Sequence, residues 1–120
     1  MAINYKYKIE NETLKVESWG IDDNIEDVEN YASSILELSI NNDCKKVFCD
    51  ERNLQYSLSV IDTFELAEKA SVLGKVLKKI AIVCHENYLE DVRFYETVAL
   101  NRGLKVFVTT DIEHANKWLE

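Results

Sequence analysis

Apolar residues in this chain recur at two different periods, and the points where the period changes fix the order of its secondary elements. From Ile3 to Ile9 the alternation is strict, with Ile3, Tyr5, Tyr7 and Ile9 on one side and Asn4, Lys6 and Lys8 on the other. Successive strand residues point to opposite faces, so this is a half-buried strand. A polar turn at Glu10-Asn11-Glu12 leads to a second alternating run, Leu14, Val16 and Ser18 against Lys15, Glu17 and Trp19, which completes a hairpin. The spacing then becomes helical. Asp22, Asp23 and Asn24 offer N-cap chemistry, and Ile25, Val28, Ala32, Ile35 and Leu36 form the apolar stripe of a helix over 24–40.

The alternation of element types continues to the last residue. Cys44 to Cys49 reads as a short strand closed by Asp50-Glu51-Arg52-Asn53. Ser59 can cap a second helix carrying Val60, Phe64, Leu66, Ala67, Ala70 and Leu73 on its buried stripe, with Gly74 as its stop. Leu77 to Cys84 is nearly all apolar, as a strand covered on both faces must be. Leu89 to Arg102 reads as a third helix ending at Gly103, Leu104 to Thr109 as a fifth strand, and Asp111 opens a last helix with Ile112, Ala115, Trp118 and Leu119. The order is β-β-α-β-α-β-α-β-α. Single helices separate strands three, four and five, so right-handed crossovers make those strands parallel, with the hairpin as the antiparallel remainder of a mixed five-stranded sheet.

Composition narrows the function classes. A chain of 120 residues, 47% hydrophobic, supports a single domain over 1–120 with a core that needs neither disulfide nor metal. Fourteen basic residues against 22 acidic ones give a net charge of −8, which argues against nucleic acid. No proline and three glycines exclude glycine-rich phosphate loops and dinucleotide fingerprints. The longest apolar run, Ile80 to Cys84, is far short of the roughly 20 residues of a membrane helix, and Met1 to Lys6 has no signal-peptide character. Three cysteines without zinc-type spacing fit a reducing cytoplasm. No cofactor is implied.

Val47-Phe48-Cys49-Asp50-Glu51-Arg52, Lys79-Ile80-Ala81-Ile82-Val83, Phe94, Asn101 to Phe107 and the ending Ala115-Asn116-Lys117-Trp118-Leu119 together resemble the SpoIIAA-like proteins, relatives of the STAS domains of anti-sigma-factor antagonists. The resemblance implies an α/β, STAS/SpoIIAA-like mixed five-stranded sheet with helices mainly on one face. It also implies a binding or regulatory role without catalysis. Those antagonists carry a phosphorylatable serine in an Asp-Ser-Ser-Gly turn after the third strand. Counting from Cys49, that turn falls on Tyr56-Ser57-Leu58-Ser59, where Ser57 matches the serine but the flanking aspartate and glycine are missing. CRAL-TRIO proteins, of similar fold, bind lipids, and the second reading is therefore a carrier of a lipid or small apolar ligand lodged between sheet and helices.

Three sets of residues are candidates for function. Ser57 and Ser59 stand before the second helix, where a phosphate would be favoured electrostatically. With Ile61 and Val72, which fall outside that helix's apolar stripe, they outline a partner surface or a homodimer contact. At the C-terminal edge of the parallel strands, Asp50, Arg52, His85, Thr110 and Asp111 outline a ligand edge. A third reading, an enzyme using His85, requires Asp50, His85 and Thr110 to converge; the alternative there is a helix cap and a local ion pair. Lys45, Lys46, Lys78, Lys79 and Lys105 start parallel strands and form a basic rim at the opposite edge, suited to an anionic headgroup or an acidic partner. Cys49 and Cys84 could neighbour each other on adjacent strands, although buried strand cysteines usually act as small hydrophobes.

Overall fold

The computed structural model describes residues 3–120, and of Ser71 the backbone alone. Met1 and Ala2, part of the segment read for signal character, lie outside the described residues. The elements are β1 (Ile3–Glu10), β2 (Thr13–Asp22), α1 (Ile25–Asn41), β3 (Lys46–Tyr56), α2 (Val60–Ala70), β4 (Lys79–Cys84), α3 (Leu89–Asn101), β5 (Val106–Thr109) and α4 (Ile112–Leu119). They form one five-stranded sheet in the order β1-β2-β3-β4-β5. Only β1 runs against its neighbour; β2, β3, β4 and β5 are mutually parallel. Asn11 and Glu12, at φ of 52° and 63°, sit in the left-handed backbone region, which lets the two-residue hairpin loop match the right-handed twist of its strands.

The third strand departs most from the sequence reading. Asp50-Glu51-Arg52-Asn53 does not close it, because β3 continues to Tyr56. The cause is a bulge: Glu17 pairs with Asp50 but Trp19 pairs with Asn53, so Ser18 stands opposite two residues, Glu51 and Arg52. An extra residue in one strand inverts the inward-outward parity of the residues beyond it. Val47, Cys49 and Glu51 are buried before it, and Leu54 after it. A polar run with a slipped alternation thus imitates a turn.

α1, α2 and α3 cover one face of the sheet. Their core includes Val28, Ile35, Val47, Ile82, Val92 and Val108. α4 alone covers the other face, where Phe48, Ala81 and Val83 meet Ala115 and Leu119. Asn24 caps α1, its Oδ1 accepting the amides of Glu26 (2.8 Å) and Asp27 (3.3 Å). The second helix does not run on to Gly74: α2 stops at Ala70 and passes into a 3-10 turn through Lys75. Gly74 is required by close approach, since a Cβ there would lie 2.7 Å from the Gly103 carbonyl oxygen. At the outer edge, Glu96 Oε2 accepts the Val108 amide at 2.6 Å, so α3 satisfies a donor that edge strand β5 leaves open.

Candidate functional site

Between the sheet and the three helices lies a cavity of about 510 Å³, within the range of small-molecule sites. Apolar residues from every covering element line it, among them Val28 and Leu36 of α1, Leu66 of α2 and Val92 of α3, above Leu54 and Ile82 of the sheet. Ala32 and Leu36, on the apolar stripe of α1, are only half-buried and border this space. Val60 and Phe64, placed on the buried stripe of the second helix from sequence, are 70% and 38% exposed; only Ala67 and Ala70 of that helix are buried. Val60 reaches solvent at the cavity's border, whereas Phe64 lies off the cavity with the Arg102 guanidinium 5.9 Å from its ring centre. The Lys69 ammonium meets the Glu29 carboxylate at 3.3 Å, linking α2 to α1 at the cavity's exposed rim.

A polar cluster interrupts the apolar lining. Glu51, on the inward side of the bulge, is 6% exposed and accepts the hydroxyls of Tyr31 (3.1 Å) and Tyr56. Burial raises its carboxyl, while those two hydrogen bonds oppose the rise. Burial first, and then the neighbouring Glu51, hold both tyrosine hydroxyls well above the phenol range, so they remain donors. Asp22, at the end of β2, is 5% exposed and accepts the Ser57 amide through Oδ1 at 2.8 Å. Its Oδ2 receives no hydrogen bond among the described residues. Burial above all, and then Glu51, Asp23 and Asp91, push the Asp22 carboxyl up to about 7 against the pull of the Ser57 amide. Ser18, beneath the bulge, is fully buried with Oγ unpartnered among the described residues.

The residues proposed from sequence fall elsewhere. Asp50 lies within β3 and not beyond it. Its carboxylate takes the Arg52 guanidinium in a two-pronged contact, 2.9 Å from Nε and 2.8 Å from the terminal nitrogen. The His85 Nδ1 accepts the Asn87 amide at 3.0 Å and caps a short 3-10 turn. Asp111 caps α4 by accepting the amides of Glu113 and His114, at 2.8 and 3.2 Å. Thr110 is exposed. No hydrogen bond among the described residues joins Asp50, Arg52, His85, Thr110 and Asp111 into one constellation. Ser59 Oγ accepts the Asp62 amide at 3.1 Å as the cap of α2, and Ser57 is exposed. Ile61 and Val72 are 73% and 56% exposed.

Cys49 pairs in register with Ile82, and Cys84 stands opposite Glu51, so the two cysteines are not cross-strand partners. Burial holds both thiols high, Cys84 at about 11. Lys45, Lys46, Lys78, Lys79 and Lys105 do surround one shallow depression at the far edge, where Lys79 donates to the Trp118 carbonyl at 2.7 Å.

Sequence reading passed over Tyr31, Glu51, Tyr56 and Tyr95, all on the cavity wall. The available signal was the pair Leu54 and Tyr56, whose alternation resumes one residue out of step after Glu51.

No family model matches the sequence, and no curated protein matches it. Solved structures do. An uncharacterized protein of the DUF3478 family with a SpoIIAA-like fold, from Shewanella loihica PV-4, superimposes with a TM-score of 0.56 at 17% identity, over 99% of this chain and 94% of its own. An anti-sigma factor antagonist from Mycobacterium paratuberculosis gives 0.63 at 13% identity, over 98% and 93%. At such identities the likeness is one of fold. No helix among the described residues is long and apolar enough to cross a membrane. This chain has the STAS/SpoIIAA-like fold: a mixed five-stranded sheet with three helices on one face and one on the other.

Proposed function

We propose that the chain is a non-catalytic binding domain of the SpoIIAA-like type that holds a small, largely apolar ligand between its sheet and helices α1–α3. The cavity of about 510 Å³ carries this reading. A domain acting through its surface alone gains nothing from such a space, because unfilled volume forfeits dispersion contacts. At the edge read as a candidate enzyme site, Asp50, His85 and Asp111 are engaged separately in a local ion pair, a turn and a cap. The reducing cytoplasm is the compartment in which three free, buried thiols persist.

Mass spectrometry of gently purified protein, native and then denaturing, tests the reading. We expect an apolar adduct that leaves on denaturation, and binding of the neutral polarity-sensitive dye Nile red once the chain has been stripped of lipid. A bare mass together with no dye binding by the stripped protein would contradict it.

A second reading has its own observation, the exposed apolar residues Val60 and Ile61 of α2 and Val72 of the 3-10 turn after it. One structural neighbour is an anti-sigma factor antagonist, a name that points to a protein counterpart. Val60 and Val72 also line the cavity, so an occupied cavity and a protein contact would share side chains. Ile61→Lys should abolish capture of a partner, or a self-association seen by sedimentation, while leaving dye binding intact. Unchanged sedimentation and capture would remove this reading.

A further inference from the structure

We propose that the ligand of this cavity is an apolar amine, a hydrocarbon body ending in a protonated nitrogen that docks beside Asp22 and Glu51. The inference rests on the reading of the cavity as a binding site and adds the ligand's charge. Among the described residues, five charged side chains line the cavity, and four are carboxylates: Asp22 of β2, Glu29 of α1, Glu51 of β3 and Asp91 of α3. The one ammonium among these five, Lys69 of α2, is matched to Glu29 at 3.3 Å on the rim. Asp22, Glu51 and Asp91 have no ion-pair partner among the described residues.

The deeper pair differ in what they still offer. Both Glu51 oxygens are taken by tyrosine hydroxyls. Asp22, 5% exposed, lines the cavity, has used Oδ1 on the Ser57 amide and leaves Oδ2 without a hydrogen bond among the described residues. A carboxyl group held among apolar side chains without a cation is unfavourable, and its rise to about 7 reflects that surrounding. An arriving ammonium supplies the missing charge and donates to the free oxygen, a charge-assisted hydrogen bond that is stronger than a neutral one. A fatty carboxylate would instead add a negative charge beside two carboxyls. An alcohol would supply a donor without the charge.

Calorimetric titration of the stripped, full chain with decylamine and decanoate below their micellar concentrations, and with decanol below its solubility limit, tests this at pH 7.5. Displacement of Nile red reports in parallel whether the cavity itself is filled. We expect decylamine to bind at least about tenfold more tightly than decanol, equivalent to roughly 1.4 kcal/mol, with decanoate weakest. Asp22→Asn, which keeps an acceptor for the Ser57 amide, should bring the amine to the level of the alcohol. Glu113→Gln, on α4 at the opposite face, should leave the preference intact. Decanol or decanoate binding as tightly as the amine, with the dye displaced, would overturn the amine inference and leave the cavity reading standing. A preference that survives in Asp22→Asn would show that Asp22 does not supply the attraction and overturn it as well. No binding by any of the three or by the dye would overturn both.

Discussion

On the face that carries α4, Phe48, Ala81 and Val83 meet Ala115 and Leu119, and all five side chains are 7% exposed or less. On the opposite face three helices stand over Val47, Cys49 and Ile82, yet they leave about 510 Å³ open and hold Asp22 and Glu51 within it. One helix closes its side of the sheet where three do not, because α2 buries only Ala67 and Ala70 and leaves Val60, Ile61 and Phe64 exposed. Burial is therefore directed toward packing on one face and toward an occupiable space on the other. Buried carboxyls lower stability unless something compensates them, so their presence on the open face alone ties the chemistry to that space.

Deleting side-chain volume should separate the two faces most strongly. Leu119→Ala, on the packed face, is expected to cost about 2–5 kcal/mol in urea unfolding. Leu54→Ala, whose neighbours already border open space, should cost visibly less; equal losses would mean that the faces are equally packed. Adding volume should have opposite consequences. Ala81→Leu drives a larger residue into a fully buried position and should destabilise by about 1–3 kcal/mol. Ala32→Leu grows into the cavity, so it should leave unfolding unchanged or raise its midpoint while lowering dye binding.

A smaller effect is expected from pH. Asp22 rises from 3.8 to about 7, so between those values the folded chain holds a proton that the unfolded chain has released. Stability from this group is thus fully present below the unfolded value and is lost as pH climbs through about 7. Asp22→Asn should flatten that slope and gain on the order of 1–2 kcal/mol at pH 8 relative to the parent. An unchanged slope across pH 4–8 would show that Asp22 is not held as described. The smallest change should come from Lys69→Ala at the rim. Its exposed pair with Glu29 is worth under about 1 kcal/mol, and its removal should appear as faster dye entry more than as lost stability.

The order and type of the elements were legible because they depend on local periodicity, which survives in strands as different as Ile3–Glu10 and Lys79–Cys84. The site was much less so. Glu51 sits in a run of polar residues that reads as a turn, and only its pairing opposite Ser18 shows that it points inward. Asp22 looks like one of three candidate caps, whereas Asn24 caps α1 and Asp22 ends β2. Ala32 and Leu36 carry the same signature as Val28 and Ile35, and all four line the cavity, yet the first pair is half-buried and the second buried. A cavity consists of atoms that are absent, and helical spacing records direction without recording how far a helix stands from its sheet.

Xenon supplies the most direct test of that distance, because it enters apolar cavities without needing a specific ligand. Methyl-resolved NMR of the stripped protein under xenon pressure should shift Val28, Leu54, Ile82 and Val92 and leave Val83 and Leu119 unmoved. Shifts absent from the first group, or equal on both faces, would contradict the central claim that only the three-helix face is built around a space to be filled.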